Sequence, residues 1–201
     1  RRRHTRCSRD WSSDVCSSDL TYAIGRSGTM LPTGNEFPPP FAKVMLPTLV
    51  ATLALGLSGK AGALARSVPL AWLFLLQAFR LPLELVMAQM ASEGAMPPQM
   101  TLHGWNFDIL SGVFGLVLGA VALRKNLPAW LTAAYTVGGL ALLVTVVSIA
   151  IRSAPGPLAS WPELPRNTVV FFAPFVWLPL VLVPTALLLH LLTIRAMLSR
   201  S

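Results

Sequence analysis

Long apolar runs divide this chain, and short polar loops separate them. Five runs approach or reach the roughly 20 residues that an α-helix needs to cross a bilayer at about 1.5 Å per residue. They cover residues 41–57, 69–90, 107–123, 129–151 and 169–192. The pattern predicts an all-α fold, a polytopic transmembrane helical bundle in which residues 41–201 form a single transmembrane domain.

The second run carries polar side chains at its centre. Gln77, Arg80 and Glu84 are spaced three and four residues apart, so they lie within about 60° of one another around a helix. A charge at the centre of a bilayer is costly and needs a partner or a water-filled cavity. We therefore predict that Arg80 pairs with Glu84 and that other helices cover this face. The site either binds a substrate, an ion or a proton, or locks the packing of the helices.

Prolines predict irregular helices in two of the runs. Pro82 lies between Arg80 and Glu84 and has no N–H for the carbonyl of Ala78, so we expect a kink beside the two charges. The last run contains three further prolines, which predict a bent helix with carbonyl groups freed from backbone hydrogen bonds. These are Pro174, Pro179 and Pro184.

The first 40 residues differ from the rest of the chain. Residues 1–20, RRRHTRCSRDWSSDVCSSDL, are hydrophilic and resemble the conceptual translation of a short-read sequencing adapter. We therefore expect an adapter-derived, disordered artefact at residues 1–20, and an N-terminally truncated fragment of the true protein after it. Residues 21–40 are polar, rich in glycine and proline, and end in three prolines, so they are predicted to form a loop.

Basic residues indicate the orientation in the membrane. Loops on one side of the predicted bundle carry six Lys and Arg residues and no acidic residue: Lys60, Arg66, Arg124, Lys125, Arg195 and Arg200. The other side mixes four basic residues with acidic ones, and its loop 91–108 has no basic residue at all. The positive-inside rule therefore places the C-terminus in the cytoplasm and loop 91–108 outside a bacterial inner membrane.

Residues before the third run have two interpretations. Asn106 and Asp108 suit the start of a helix, where they would cap free N–H groups and face the positive end of the helix dipole. Alternatively, polar residues on the outer side line the mouth of a cavity above Glu84: His103, Asp108, Arg152 and Asn167. The candidate binding site comprises Gln77, Arg80, Glu84, Asn106, Asp108, Arg152 and Asn167. Within the third run, small residues at Gly112, Gly115 and Gly119 predict close helix packing.

Composition excludes several other kinds of site. The formal net charge is +8, but the charges are spread over short loops, so we expect no nucleic-acid partner. Cys7 and Cys16 both fall within residues 1–20, which leaves no thiol chemistry elsewhere. His103 and His190 lie on opposite sides of the predicted membrane and cannot share a metal, and His190 is interpreted as a capping or interfacial residue. We therefore expect no metal, no cofactor and no catalytic set.

From about Pro38 onward the chain resembles a group of uncharacterised bacterial multi-pass integral membrane proteins. Four stretches carry the resemblance: QAFRLPLE at 77–84, MTLHGWNFDILSG at 100–112, P-x-N at 165–167 and PFVWLPLVLVPTALLLHL at 174–191. Members of that group begin with one further spanning helix, so the resemblance implies six helices in the intact protein. It implies no activity, and no functional residue is carried over from it.

Three hypotheses for the function follow. The first is a non-enzymatic membrane protein with a buried Gln/Arg/Glu polar site between helices, structural or ligand-sensing. Its partners would be the lipid bilayer, a small molecule or ion, and a helix-mediated oligomer. The second is a small transporter or channel subunit with Arg80 and Glu84 on its pathway. The third, an integral membrane enzyme, is the weakest because no acid–base–nucleophile or metal set converges at one depth.

Overall fold

The computed structural model describes residues 21–31, 37–161 and 165–199, and every regular element within them is a helix. Four helices are long and apolar enough to cross a membrane. From residue 40 onward, the α-helices in chain order are α1 (Pro40–Leu57), α2 (Gly59–Ser67), α3 (Leu70–Ser92), α4 (Ile109–Ala122), α5 (Ala129–Ser153) and α6 (Leu178–Leu198), of which α2 and α4 are the shorter ones. The all-α prediction is confirmed for these residues, whereas the prediction for residues 1–20 lies outside them.

Three of the predicted spanning runs correspond closely to helices. Helices α1, α3 and α5 begin and end within two residues of 41–57, 69–90 and 129–151. The third run, 107–123, forms only the 14 residues of α4, about 21 Å at about 1.5 Å per residue. Helix length therefore supports four spanning helices, and the predicted fifth is not confirmed.

The last run folds differently from the prediction. Its long helix, α6, begins at Leu178 and ends at Leu198, so the predicted range 169–192 is wrong at both ends. A 3-10 turn, Val169–Phe171, and further turns precede α6, and its first five residues, Leu178–Leu182, are π-helical. Pro174 explains the late start because it has no N–H and disfavours the helical conformation in the preceding residue. The predicted irregularity of this run is confirmed.

Helix α3 is irregular beside its central charges. It consists of a helix at Leu70–Leu75, a 3-10 turn at Leu76–Phe79 and a second helix at Arg80–Ser92. Pro82 thus falls in the first turn of the second helix, where a missing N–H is tolerated. The break therefore lies just before Pro82 and places Arg80 at the junction.

The sequence predicted a loop at residues 21–40, but part of this segment is not a loop. They are helical over residues 21–27, and Met30 is buried in the core. Gly25 allows this segment to approach the turn before α6, since a Cβ at Gly25 would lie 2.7 Å from the backbone N of Ala173. The loop prediction is wrong for this part because contact with the bundle orders a segment whose own composition is polar.

The interior contains two clusters of buried apolar side chains, one near each end of α3. The methionine cluster comprises Met30, Met87, Met90, Met96, Met100, Ile149, Val170, Phe171 and Val176. The alanine cluster comprises Ala61, Ala65, Leu73, Leu189, Leu192 and Ala196. Leu73 near the start of α3 belongs to the second cluster, whereas Met87 and Met90 near its end belong to the first. Helix α3 therefore connects two differently built interiors.

Glycines hold α4 close to α3. A Cβ at Gly115 would lie 2.9 Å from the carbonyl oxygen of Phe74, and a Cβ at Gly119 would lie 3.0 Å from the backbone N of Leu75. A Cβ at Gly112 would likewise lie 3.1 Å from the backbone N of Leu81. The predicted close packing is confirmed, and it joins two helices of the same chain.

Candidate functional site

Arg80 forms a buried ion pair between α3 and the start of α4. It is 1% exposed, and its Nη1 donates to Oδ1 of Asp108. The prediction that Arg80 pairs with Glu84 is therefore wrong. Close helix packing explains the difference, because a Cβ at Gly112 would lie 3.3 Å from the Cβ of Arg80. The N-terminal end of α4, and Asp108 with it, is thereby brought within reach of the guanidinium group.

Glu84 is also buried, and its partner comes from the loop before α4. Nδ2 of Asn106 donates to Oε1 of Glu84 at 2.7 Å and to the carbonyl oxygen of Met100 at 2.9 Å. Oδ1 of Asn106 accepts a hydrogen bond from the backbone N–H of Asp108 at 3.0 Å. Asn106 therefore links the two carboxylate residues. The capping interpretation is wrong for Asp108, whose side chain makes no capping hydrogen bond to α4.

Two further predicted residues are buried near this cluster. Nε2 of Gln77 donates to the carbonyl oxygen of Ala186 at 3.3 Å, which connects α3 to α6. Asn167 is fully buried, and its backbone N–H donates to the carbonyl oxygen of Ser153 at 2.9 Å. The backbone of Asn167 is thus fixed at the end of α5, while its buried amide group has no hydrogen-bond partner.

Arg152 and His103 do not belong to the cluster. Both residues are exposed, and neither lines the cavity described below. Arg152 lies in the last turn of α5, where only one face of the helix is directed at the bundle. The prediction that they share the site is wrong, because being on the same side of the membrane does not fix the direction of a side chain.

A cavity of about 260 Å³ reaches the cluster. Its polar lining residues are Arg80, Glu84, Asp108 and Asn167. All other lining residues are apolar and come mainly from α1, the second halves of α3 and α5, the start of α6 and the loop after α5. A mostly apolar cavity with a few convergent polar groups is typical of a small-molecule site.

Several polar atoms of the lining residues have no hydrogen-bond partner. They are Nε and Nη2 of Arg80, Oε2 of Glu84, and both amide atoms of Asn167. Buried polar groups in proteins are nearly always hydrogen-bonded, and each unpaired one costs about 1–3 kcal/mol. The polar residues that line the cavity therefore hold unused donors and acceptors, and these atoms are covered in the structure.

His190 is a buried polar residue, so its interpretation as a capping or interfacial residue is wrong. It is fully buried in α6, and neither ring nitrogen has a hydrogen-bond partner. Gly139 makes room for the imidazole, because a Cβ there would lie 2.7 Å from its Nε2. The ring of Tyr135 lies 5.9 Å away between centroids. A glycine in the facing helix was the available signal, but the sequence does not show which helices face each other.

In the part of the chain that the structure describes, no group of three His, Cys, Asp or Glu side chains is placed to hold a metal ion. Comparisons with protein-family models, with curated proteins and with solved structures found no match. The resemblance to bacterial multi-pass membrane proteins therefore stays a prediction. The candidate site rests on its own geometry.

Proposed function

We propose that this chain is a multi-pass protein of a bacterial inner membrane that binds a small ligand at Arg80, Glu84, Asp108 and Asn167, in a ligand-sensing role. The cavity that reaches these four side chains is the observation that carries the proposal. Helices of spanning length and apolar composition surround it. Ionisable residues inside such helices mark ligand or ion sites when they face a cavity.

A purely structural lock is the alternative interpretation of the cluster. A lock is expected to satisfy its own donors and acceptors, because a partly satisfied polar network is less stable than an apolar core. Here Arg80, Glu84 and Asn167 all keep atoms without partners, and all three line the cavity. This arrangement favours ligand binding over a lock.

The proposed topology has five crossings in this chain, by α1, α3, α4, α5 and α6, and a sixth in the intact protein. The short helix α4 packs along α3 through its glycines, and buried Asn106 and Asp108 extend the buried segment before it. The basic loops then lie on the cytoplasmic side together with the C-terminus.

Filling the cavity tests the proposal. Ala150 lines the cavity, whereas Ala141 lies on the same helix and is exposed. We expect a ligand from host membranes to copurify with the full chain in nanodiscs and to be detected by native mass spectrometry. Ala150→Phe should lose this ligand, and the matched control Ala141→Phe should retain it. A wild-type protein without bound ligand, or retention by a folded Ala150→Phe variant, would contradict the proposal.

A small transporter is the second candidate, and the irregular helices favour it. Helix α3 contains a 3-10 turn just before Arg80, and α6 begins with a π-helical turn whose Pro179 lines the same cavity. Interrupted helices beside a buried site are typical of secondary transporters.

A transporter exposes its site to both sides in turn. A cysteine at the cavity residue Val183, with Cys7 and Cys16 replaced by serine, should then react with impermeant reagents from either side of a vesicle; labelling from one side only would favour the sensing role.

A further inference from the structure

The charges at the polar end of the cavity favour one class of ligand head group. Arg80 uses its Nη1 on Asp108, and Glu84 adds a second carboxylate. Nε and Nη2 of Arg80 are donors without an acceptor, whereas Oε2 of Glu84 is an acceptor without a donor. An anionic head group would lie beside the Glu84 carboxylate, and a cationic one would leave the Arg80 donors unpaired. A hydroxyl group both donates and accepts, so it suits both residues.

Asn167 points to the same conclusion. Its Nδ2 is a donor and its Oδ1 an acceptor, and neither has a partner in this fully buried residue. The unpaired atoms of Arg80, Glu84 and Asn167 are all covered in the structure. Rotation of the terminal amide and carboxyl groups, whose torsions are broad, together with a shift of the Arg80 side chain, would present them to a ligand. A head group with more than one hydroxyl therefore matches the donors and acceptors together.

The remaining walls of the cavity suit an alkyl chain. Helix α1 contributes Phe41 and Met45, and α5 contributes Val146 and Ala150. At about 30 Å³ for each non-hydrogen atom, the share of one water molecule, a cavity of about 260 Å³ holds roughly nine such atoms. That is enough for a small head group and the first few carbons. A longer chain must leave the cavity.

Helices α1 and α5 both line the cavity, and a chain could leave through the space between them. Both pack against α6, but these two fully described helices do not form a packed pair with each other. Helix α1 is also the least covered of the four long helices, with 11% of its apolar window buried inside the protein. An exit between these two helices would open the cavity sideways, toward the region that lipid would occupy.

We infer that the cavity binds an uncharged, single-chain amphiphile whose head group carries hydroxyls, of the monoacylglycerol class, and that this ligand enters from the membrane between α1 and α5. The inference rests on the proposed ligand-binding function and names the ligand class for the same site. The head lies against Arg80, Glu84 and Asn167, and the chain runs along the apolar walls.

Three ten-carbon probes test the inference on the full chain in phosphatidylcholine nanodiscs: monodecanoylglycerol, decanoate and decyltrimethylammonium. We expect saturable binding of radiolabelled monodecanoylglycerol that is about tenfold or more tighter than that of either charged probe, because a mismatched charge costs at least about 1.4 kcal/mol. Ala150→Phe should weaken this binding by about tenfold or more, with Ala141→Phe unchanged. Glu84→Gln should tighten decanoate binding, because it removes the repelling carboxylate.

Several outcomes would overturn the inference. Binding of a charged probe as tightly as the neutral one would do so, and so would saturable binding that a filled cavity leaves unchanged. Val146→Phe provides a second filled cavity if Ala150→Phe does not fold. If a ligand of another class copurifies and Ala150→Phe releases it, the inference fails while the proposed function stands. If no ligand copurifies with the wild-type protein, the proposed function fails, and the inference that rests on it fails with it.

Discussion

The two ends of α3 lie in differently built interiors. In the alanine cluster, small side chains let α2 approach α6, and Nη1 of Arg195 finds a partner in the carbonyl oxygen of Leu57 at 2.8 Å. Beside the methionine cluster lies the cavity, where Arg80, Glu84 and Asn167 keep polar atoms unpaired. Methionine side chains are flexible and adapt to irregular space. Close packing and room for a ligand are thus separated along one helix.

Removing the charge of Arg80, beside the methionine cluster, should cause the largest loss of stability. Arg80→Leu leaves Asp108 buried without its partner, so we expect the free energy of unfolding to fall by about 3–5 kcal/mol. Arg80→Leu combined with Asp108→Leu should recover most of this loss. Reversible unfolding in detergent measures both, with exposed Arg66→Leu as a control that changes stability by about 0.5 kcal/mol or less. If Arg80→Leu alone is as stable as wild type, the packing around the methionine cluster does not depend on the ion pair.

Matched truncations at the two ends should differ. Leu73→Ala in the alanine cluster should cost about 2–5 kcal/mol, because the closely packed neighbours cannot fill the space. Met87→Ala should cost about 2 kcal/mol, the lower end of the range, because Met87 already lines a cavity. The same unfolding assay compares them, with Leu85→Ala, 68% exposed on α3, as the control. Equal losses at Leu73 and Met87 would remove the distinction between the two ends.

Replacing two adjacent glycines of α5 with alanine should change the stability of the protein in opposite directions. The pair tests whether the close packing of the alanine cluster, which includes Leu189, extends to His190. A Cβ at Gly139 would lie 2.7 Å from Nε2 of buried His190, so Gly139→Ala should destabilise the protein by about 1–3 kcal/mol. Gly138→Ala meets no atom within 4 Å and should stabilise the helix by about 0.5–1 kcal/mol. Thermal unfolding of the two variants side by side gives the comparison. A loss at Gly138 equal to that at Gly139 would speak against a packing effect.

Much of the fold could be predicted because apolar composition over about 20 residues is enough to specify a spanning helix. Helices α1, α3 and α5 follow this rule and have no strong competing signal. The last run does not, because its apolar residues fit turns as well as a helix until Pro174 and Pro179 decide between them. The segment at residues 21–27 was missed for another reason, since its order comes from contact with the turn before α6.

The sequence indicated which residues belong to the site better than it indicated which of them pair with each other. Spacing of four residues along one helix favoured Glu84 as the partner of Arg80. The structure instead uses Asp108, 28 residues away, because the glycines of α4 bring its first turn against α3. An acidic residue directly before a glycine-lined helix was the available signal. A cavity above Glu84 was one of two interpretations of the sequence, but its apolar walls could not be predicted, since they depend on how α1 and α5 pack beside α6.

In the proposed topology, in which α4 crosses the bilayer, the shortness of α4 has a consequence for the membrane itself. At about 21 Å, α4 is shorter than a hydrocarbon core of about 30 Å by about 9 Å. Such hydrophobic mismatch is relieved when the bilayer thins locally and head groups and water move inward. Because Asp108 directly precedes α4, the indentation would form beside its ion pair with Arg80. The lipid surface would then bend to meet the buried charges, and their insertion would cost less than their position in the sequence suggests.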